Sequence, residues 1–179
     1  PAVTIAEIVK QKNYRTGLFG KWHVSWIPQD SSIQHPQPDD QGFDYFLATA
    51  NNAQPSHLNP VNFVRNGTPV GEMEGYSCQI VADEAINWLD QGDKEAPFLL
   101  YIPFHEPHKK VASPPELTAK YSEYDKQNAE YLANVENIDL AVGKLLKALE
   151  ERGLDENTIV LFSSDNGSYR NGSNGPLLG

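Results

Sequence analysis

Apolar residues recur along this chain with two periods, and the changes between them mark out its elements. Ile5, Ile8 and Val9 stand three and four positions apart, with Lys12 continuing the row; Thr4 can cap that row and Glu7 can answer it as a capping-box partner. The spacing predicts a short amphipathic helix over Thr4 to Lys12. A brief apolar run, Thr16 to Phe19, then predicts a buried strand that stops at Gly20. A second short strand is predicted at Phe43 to Leu47. Asn66-Gly67, set between β-prone residues in Asn62 to Val70, is a hairpin signal.

Helical spacing returns over Ser77 to Leu89, where Ile80, Val81, Ala85, Ile86, Trp88 and Leu89 form an apolar face and Gly92 supplies the stop. Pro97 to Ile102 reads as a buried strand closed by Pro103, and Pro114 to Tyr124 as a turn of helix. The strongest helical pattern runs from Lys126 to Arg152. Leu132, Val135, Ile138, Val142, Leu145, Leu146 and Leu149 share its stripe, and Gly153 ends it. Asn157 to Phe162 reads as a third short buried strand.

Helix, apolar strand and polar cluster thus follow one another three times. Right-handed crossovers through the helices would make these strands parallel. The expected fold class is α/β, a largely parallel sheet flanked by helices. In such a sheet the residues that follow the strands meet at one edge, where ligands bind. Lys21 and His23, His105 and His108, and Asp165 and Asn166 would gather there. Residues 25–60, interrupted by Pro28, Pro36, Pro38, Pro55 and Pro60, form a long irregular excursion within this one domain, of the kind that usually carries function.

Composition narrows the partners. A chain of 179 residues, 39% of them hydrophobic, can bury one substantial core. Its formal net charge of −10 argues against nucleic acid or an anionic membrane as main partner. No run approaches the roughly 18 apolar residues of a membrane span, and no N-terminal signal pattern is present. Cys78 is the single cysteine, which excludes an internal disulfide framework and a multi-cysteine zinc site.

Asp165 and Asn166 offer a carboxylate and an amide oxygen, hard ligands suited to Ca²⁺ or Mg²⁺, on a turn that Gly167 lets bend. Two ligands do not complete such a site, and a plain Asp-Asn-Gly turn is the competing reading. Lys21 and His23 can bind an anionic oxygen and move a proton, as sulfate or phosphate ester chemistry requires. Taken alone they more often describe a surface lysine beside a partly buried, satisfied histidine. Pro107 between His105 and His108 rules out a helical zinc pair, leaving a loop zinc site or a loop histidine aimed at a leaving oxygen. His35 and His57, in the excursion, are expected to be solvated or to line a substrate entrance. Trp22 and Trp26 are expected to pack rather than to serve as a sugar platform. Asn66-Gly67-Thr68, Asn166-Gly167-Ser168 and Asn171-Gly172-Ser173 are formal glycosylation sequons of the kind that arise by chance.

Four segments in order carry a resemblance: Thr4-Ile5-Ala6-Glu7 leading to Tyr14 through Gly20-Lys21-Trp22-His23; Pro97-Phe98-Leu99-Leu100-Tyr101 through Pro107-His108; Ile138-Asp139 with Val142-Gly143; and Asn157-Thr158-Ile159-Val160 through Ser164-Asp165-Asn166-Gly167 to Asn174-Gly175-Pro176-Leu177. The chain resembles a type I, formylglycine-dependent sulfatase of the alkaline-phosphatase-like superfamily. The resemblance implies that Lys21 contacts the hydrated formylglycine and a sulfate oxygen, and that His23 hydrogen-bonds the formylglycine hydroxyl and helps to expel sulfate. His108 would bind the ester and protonate the leaving alcohol, and His105 would touch substrate. Asp165 and Asn166 would be two of the Ca²⁺ ligands, with Mg²⁺ the less favoured ion. A small-molecule or saccharide sulfate ester would be the partner, in a secreted, periplasmic or lysosomal setting.

The departures from the family pattern are specific. Its nucleophile comes from Cys-x-[Pro/Ala]-x-Arg, whereas Cys78 is followed by Gln79-Ile80-Val81 on a predicted helix. Also missing are the family's paired metal-binding aspartates upstream of the nucleophile, a lysine after the Gly-Pro-Leu segment and the C-terminal subdomain. The expectation is an internal, partial catalytic domain, inactive by itself and with an incomplete fold. Two rivals stand beside it: a phosphodiesterase or phosphonate monoester hydrolase of the same superfamily, and a non-catalytic anion-binding remnant.

Overall fold

The computed structural model describes residues 2–27, 35–167, 173 and 175–176. The chain divides into two compact units, Pro1–Ala112 and Ser113–Gly179. The first holds a five-stranded sheet ordered β4-β3-β2-β1-β5, formed by β1 (Arg15–Lys21), β2 (Tyr45–Thr49), β3 (Phe63–Arg65), β4 (Thr68–Gly71) and β5 (Phe98–Tyr101).

β1 runs parallel to β2 on one side and to β5 on the other, with Lys21 opposite Thr49 and Leu18 opposite Tyr101. The hairpin of β3 and β4 adds antiparallel strands beyond β2, so the sheet is mixed. Having a strand on each side, β1 is buried from Thr16 to Gly20. The hairpin turns at Asn66 and Gly67, both at positive φ (45° and 82°), the conformation that Asn-Gly favours. β2 starts two residues later than the sequence suggested, which brings Thr49 to the end of the strand.

Helix α1 (Ile5–Lys10) carries the full capping box: the Glu7 amide donates to the Thr4 hydroxyl at 3.1 Å and the Thr4 amide donates to the Glu7 carboxylate at 2.7 Å. Its inward residue is Ala6, however, and Ile5 and Ile8 are exposed. Gly42 explains the choice of face. A Cβ there would lie 2.6 Å from the Glu7 amide nitrogen, so loop backbone is pressed against the Ala6–Glu7 side of the helix. Helix α2 (Ser77–Asp90) buries Ile80, Val81, Ala85, Trp88 and Leu89 as the periodicity predicts. It is tied to β1 by Arg15, whose guanidinium lies 4.2 Å from the Trp88 ring centroid and donates to the Trp88 carbonyl at 2.8 Å.

In the second unit, α3 (Pro115–Lys120) packs on α4 (Lys126–Glu151), whose Asp125 cap accepts from the amides of Gln127 and Asn128. The buried positions of α4 are mostly small or polar: Ala129, Ala133, Asn134, Asn137, Ala141 and Ala148 join Leu149, while Val135 and Leu146 of the expected stripe are exposed. Two other expectations fail for one reason. β5 is half-buried rather than buried, because among the described residues it pairs only with β1. Residues 158–164 form no strand, and Ile159, Leu161 and Phe162 are 88%, 89% and 78% exposed. An apolar run becomes a strand only where a neighbour accepts and donates its backbone hydrogen bonds. Within the described residues nothing pairs with this one.

Candidate functional site

The C-terminal ends of β2, β1 and β5 lie side by side, and the chain leaving each of them grips the others. The amide of Lys21 donates to the Pro103 carbonyl at 2.8 Å, that of Trp22 to the Thr49 carbonyl at 2.9 Å, and that of His23 to the Ala50 carbonyl at 3.1 Å. Three successive residues are therefore held by backbone from both flanking strands. Gly20 makes this possible. At φ 133°, a Cβ on it would lie 2.1 Å from the same Pro103 oxygen that receives the Lys21 amide. Only glycine permits that approach.

His23 has φ 34°, a left-handed conformation uncommon for a residue of its size, and such strain persists where the surroundings over-determine the backbone. Trp22 packs as expected, edge-on to Phe43 at 6.3 Å, with its indole N–H donating to the Ser25 hydroxyl at 2.7 Å. Trp26 does not, being 62% exposed. Lys21 is half-buried and His23 exposed, so the first two predicted site residues reach solvent at the sheet edge.

His105 and His108, on the loop after β5, part company. His105 is 1% exposed, and its Nε2 lies 2.8 Å from the Thr49 hydroxyl. The Phe63 ring stands edge-on to it at 5.3 Å. Burial, against the opposing pull of Glu106 and aided by His57 and Lys21, holds its imidazole down at about 4. The ring is thus inside the protein, where the sequence reading had it touching substrate. His108 is exposed, with Nδ1 at 3.1 Å from the Lys109 carbonyl. A carbonyl can only accept, so Nδ1 carries the proton and Nε2 is the nitrogen left for a ligand. One buried ring and one exposed ring do not converge on a zinc ion, and no third His, Cys, Asp or Glu completes a metal group among the described residues.

His57, expected in solvent, is fully buried. Its amide donates to the Lys110 carbonyl and its carbonyl accepts from the Ser77 amide, so the excursion folds back onto the start of α2. His35 is exposed, as expected. Glu106 is buried at that same helix start, where one carboxylate oxygen accepts from the Ser77 hydroxyl and from the Cys78 amide at 2.9 Å. Cys78 beside it is buried, and desolvation together with the Glu106 charge pushes its thiol well up, away from the thiolate a nucleophile needs.

Asp165 and Asn166 belong to the second unit and stand on an exposed bend. The Asn166 amide nitrogen donates to the Gly167 carbonyl at 2.7 Å and its backbone oxygen accepts from the Ser164 hydroxyl at 2.7 Å. The Asn166 side-chain oxygen and the Asp165 carboxylate are two hard donors on adjacent residues. This donor set fits an oxygen-seeking cation and would supply part of its shell. Ser168, the Asn171-Gly172 pair, Asn174 and Leu177 lie outside the described residues.

The sequence reading missed Thr49 and the Gly20–Pro103 contact. Thr49 lay two residues beyond the predicted strand, and its partner is 56 positions away, beyond the reach of local spacing.

Comparison with known proteins identifies the family of the chain. The sulfatase family model matches residues 1–179. The uncharacterized sulfatase YdeN of Escherichia coli is 31% identical, over 94% of this chain and 33% of its own. The ulvan-active sulfatase of Formosa agariphila is 32% identical, over 91% and 35%. The crystal structure of Ps i-CgsB in complex with k-i-k-neocarrahexaose superposes with a TM-score of 0.69 at 27% identity, covering 86% of this chain and 37% of that one. The chain therefore spans about a third of the length of the curated relatives it matches.

Proposed function

Because the chain belongs to the sulfatase family, we propose that the protein it forms part of hydrolyses the sulfate ester of a saccharide, and that Lys21, His23 and His108 take part in the reaction. The observation that carries this reading is the grip on residues 21–23 at the C-terminal ends of three parallel strands. It presents a cation and an imidazole together on a backbone fixed from two sides. An ammonium and a histidine so held suit an anionic oxygen whose charge changes during reaction. A relative described as ulvan-active and a structural neighbour bound to neocarrahexaose support the saccharide class.

In this reading Lys21 binds a sulfate oxygen and offsets its charge. His108, with Nδ1–H held by the Lys109 carbonyl, releases a proton from Nε2 of its imidazolium to the leaving alcohol oxygen, which spares that oxygen from departing as an alkoxide. His23, in its constrained conformation, handles the proton on the nucleophile's side. Asp165 and Asn166 would hold Ca²⁺, which when bound supplies Lewis-acid charge to the sulfate oxygens. A formylglycine would supply the nucleophile. Cys78, buried and in α2, does not fit that group, and we place it outside these 179 residues.

The test is a paired assay of the full-length protein on sulfated saccharides and on phosphate mono- and diesters, with and without a calcium chelator. Release of sulfate that depends on calcium is expected. Phosphate release without sulfate release would move the protein to the phosphoesterase reading, and no turnover of either would leave an anion-binding remnant.

A further inference from the structure

We propose that His105 is a positioning residue that fixes the backbone of Lys21 and His23 through Thr49. The inference takes the roles of those two residues from the sulfatase reading, but not their placement. The proton arrangement follows from the hydroxyl. Thr49 Oγ1 lies 2.7 Å from the Asn51 carbonyl and 2.8 Å from His105 Nε2. A hydroxyl has one proton, and a carbonyl can only accept it, so the bond to His105 is made by the ring's Nε2–H donating to Oγ1. The imidazole is thereby fixed as the Nε2–H tautomer. Its Nδ1 is a buried lone pair with no hydrogen-bond partner among the described residues.

What that bond joins matters more than its own strength. β2 and β5 lie on opposite sides of β1, about 9–10 Å apart across two inter-strand spacings. Thr49 ends β2 and His105 follows β5, so their hydrogen bond spans the end of β1 where Lys21, Trp22 and His23 emerge. On the β2 side it anchors the residue whose carbonyl receives the Trp22 amide, next to the one that receives His23. On the β5 side it anchors the segment whose Pro103 carbonyl receives Lys21. Phe63, edge-on to the imidazole, keeps the ring plane in place. The two walls are thus locked to each other, and the left-handed turn at His23 is held between them.

The test uses full-length Thr49→Val, which keeps the shape and removes the hydroxyl, with Thr49→Ser as its restoration. Two readouts are needed: steady-state kinetics, and hydrogen exchange at the Trp22 and His23 amides. Thr49→Val should lower kcat by about ten- to a hundredfold, as misplaced catalytic groups do, with KM changed less than about threefold. Exchange at Trp22 and His23 should quicken about tenfold while the α2 amides keep their protection. Thr49→Ser should return both to wild type. A wild-type kcat in Thr49→Val overturns the proposal, as does exchange that quickens equally in α2, which would make the bond merely structural. A wild-type protein with no sulfatase activity would sink the functional reading alone, since unchanged exchange at Trp22 and His23 would still refute the positioning role and selective quickening would support it.

Discussion

The lysine and two histidines that reach solvent at the strand ends contribute little to the core, which separates their chemistry from the fold. Lys21→Ala and His108→Ala in the full-length protein should each lower kcat by about 10²- to 10⁴-fold, the range for loss of a general acid or a fixed charge, while the melting temperature of His108→Ala stays within a degree or two of wild type, as for exposed substitutions, and that of the half-buried Lys21→Ala falls only slightly further. A matching fall in stability would show the loss to be structural. His105 behaves in the opposite way. Burial lowers its folded-state value from 6.5 to about 4, so the unfolded chain takes up a proton before the native protein does. The stability it contributes is complete above pH 6.5 and is lost as the pH falls through about 4. Its ring resonances, followed by NMR against pH, should show a neutral imidazole at pH 5. A midpoint near 6.5 would mean that the ring is not buried.

Among the elements, β1 carries the tightest constraint. Gly20 combines a positive φ with an approach that would put a Cβ 2.1 Å from a carbonyl oxygen. Gly20→Ala must therefore move β1 away from the segment after β5 and stretch the Lys21–Pro103 bond. A destabilisation of about 2 kcal/mol or more is expected from the strain and overlap combined. Denaturant unfolding measures it, and activity should fall with it because Lys21 moves. A variant as stable and active as wild type would mean that the contact is looser than described. At the other end of the parallel strands, the Tyr45 hydroxyl and the Arg65 guanidinium both donate to Glu84, and burial together with that carboxylate raises the phenol to about 12. Those charges are satisfied within the cluster, in contrast to the lysine and imidazole that reach solvent at the C-terminal edge of the sheet.

At the scale of the molecule, apolar side chains stand in solvent along Val3, Ile5 and Ile8 and again at Ile159, Leu161 and Phe162. Several large apolar groups exposed in one short segment favour association. The 179 residues produced alone should bind a hydrophobic dye and elute from size exclusion above monomer mass. Replacing Ile159, Leu161 and Phe162 by Ser should reduce both signals. A monodisperse monomer that binds no dye would refute this. No helix among the described residues is long and apolar enough to cross a membrane.

Local chemistry was legible in the residues themselves. The Thr4–Glu7 capping box, the Asn66-Gly67 turn, the span of α2, the start of α4 at Lys126 and the Gly20-Lys21-Trp22-His23 exit from a strand are set by neighbours a few positions apart, and spacing is enough to find them. Tertiary structure alone decided which face of each helix is buried, since that depends on what arrives from elsewhere, as Gly42 does at Ala6. It also decided whether an apolar run is a strand: Thr16 to Phe19 gained partners on both sides, and residues 159–162 gained none among the described residues. The same holds for His105, which the sequence presents as a companion of His108. The fold instead turns it inward to Thr49, because a hydrogen bond between residues 56 positions apart is set by the order of strands in the sheet.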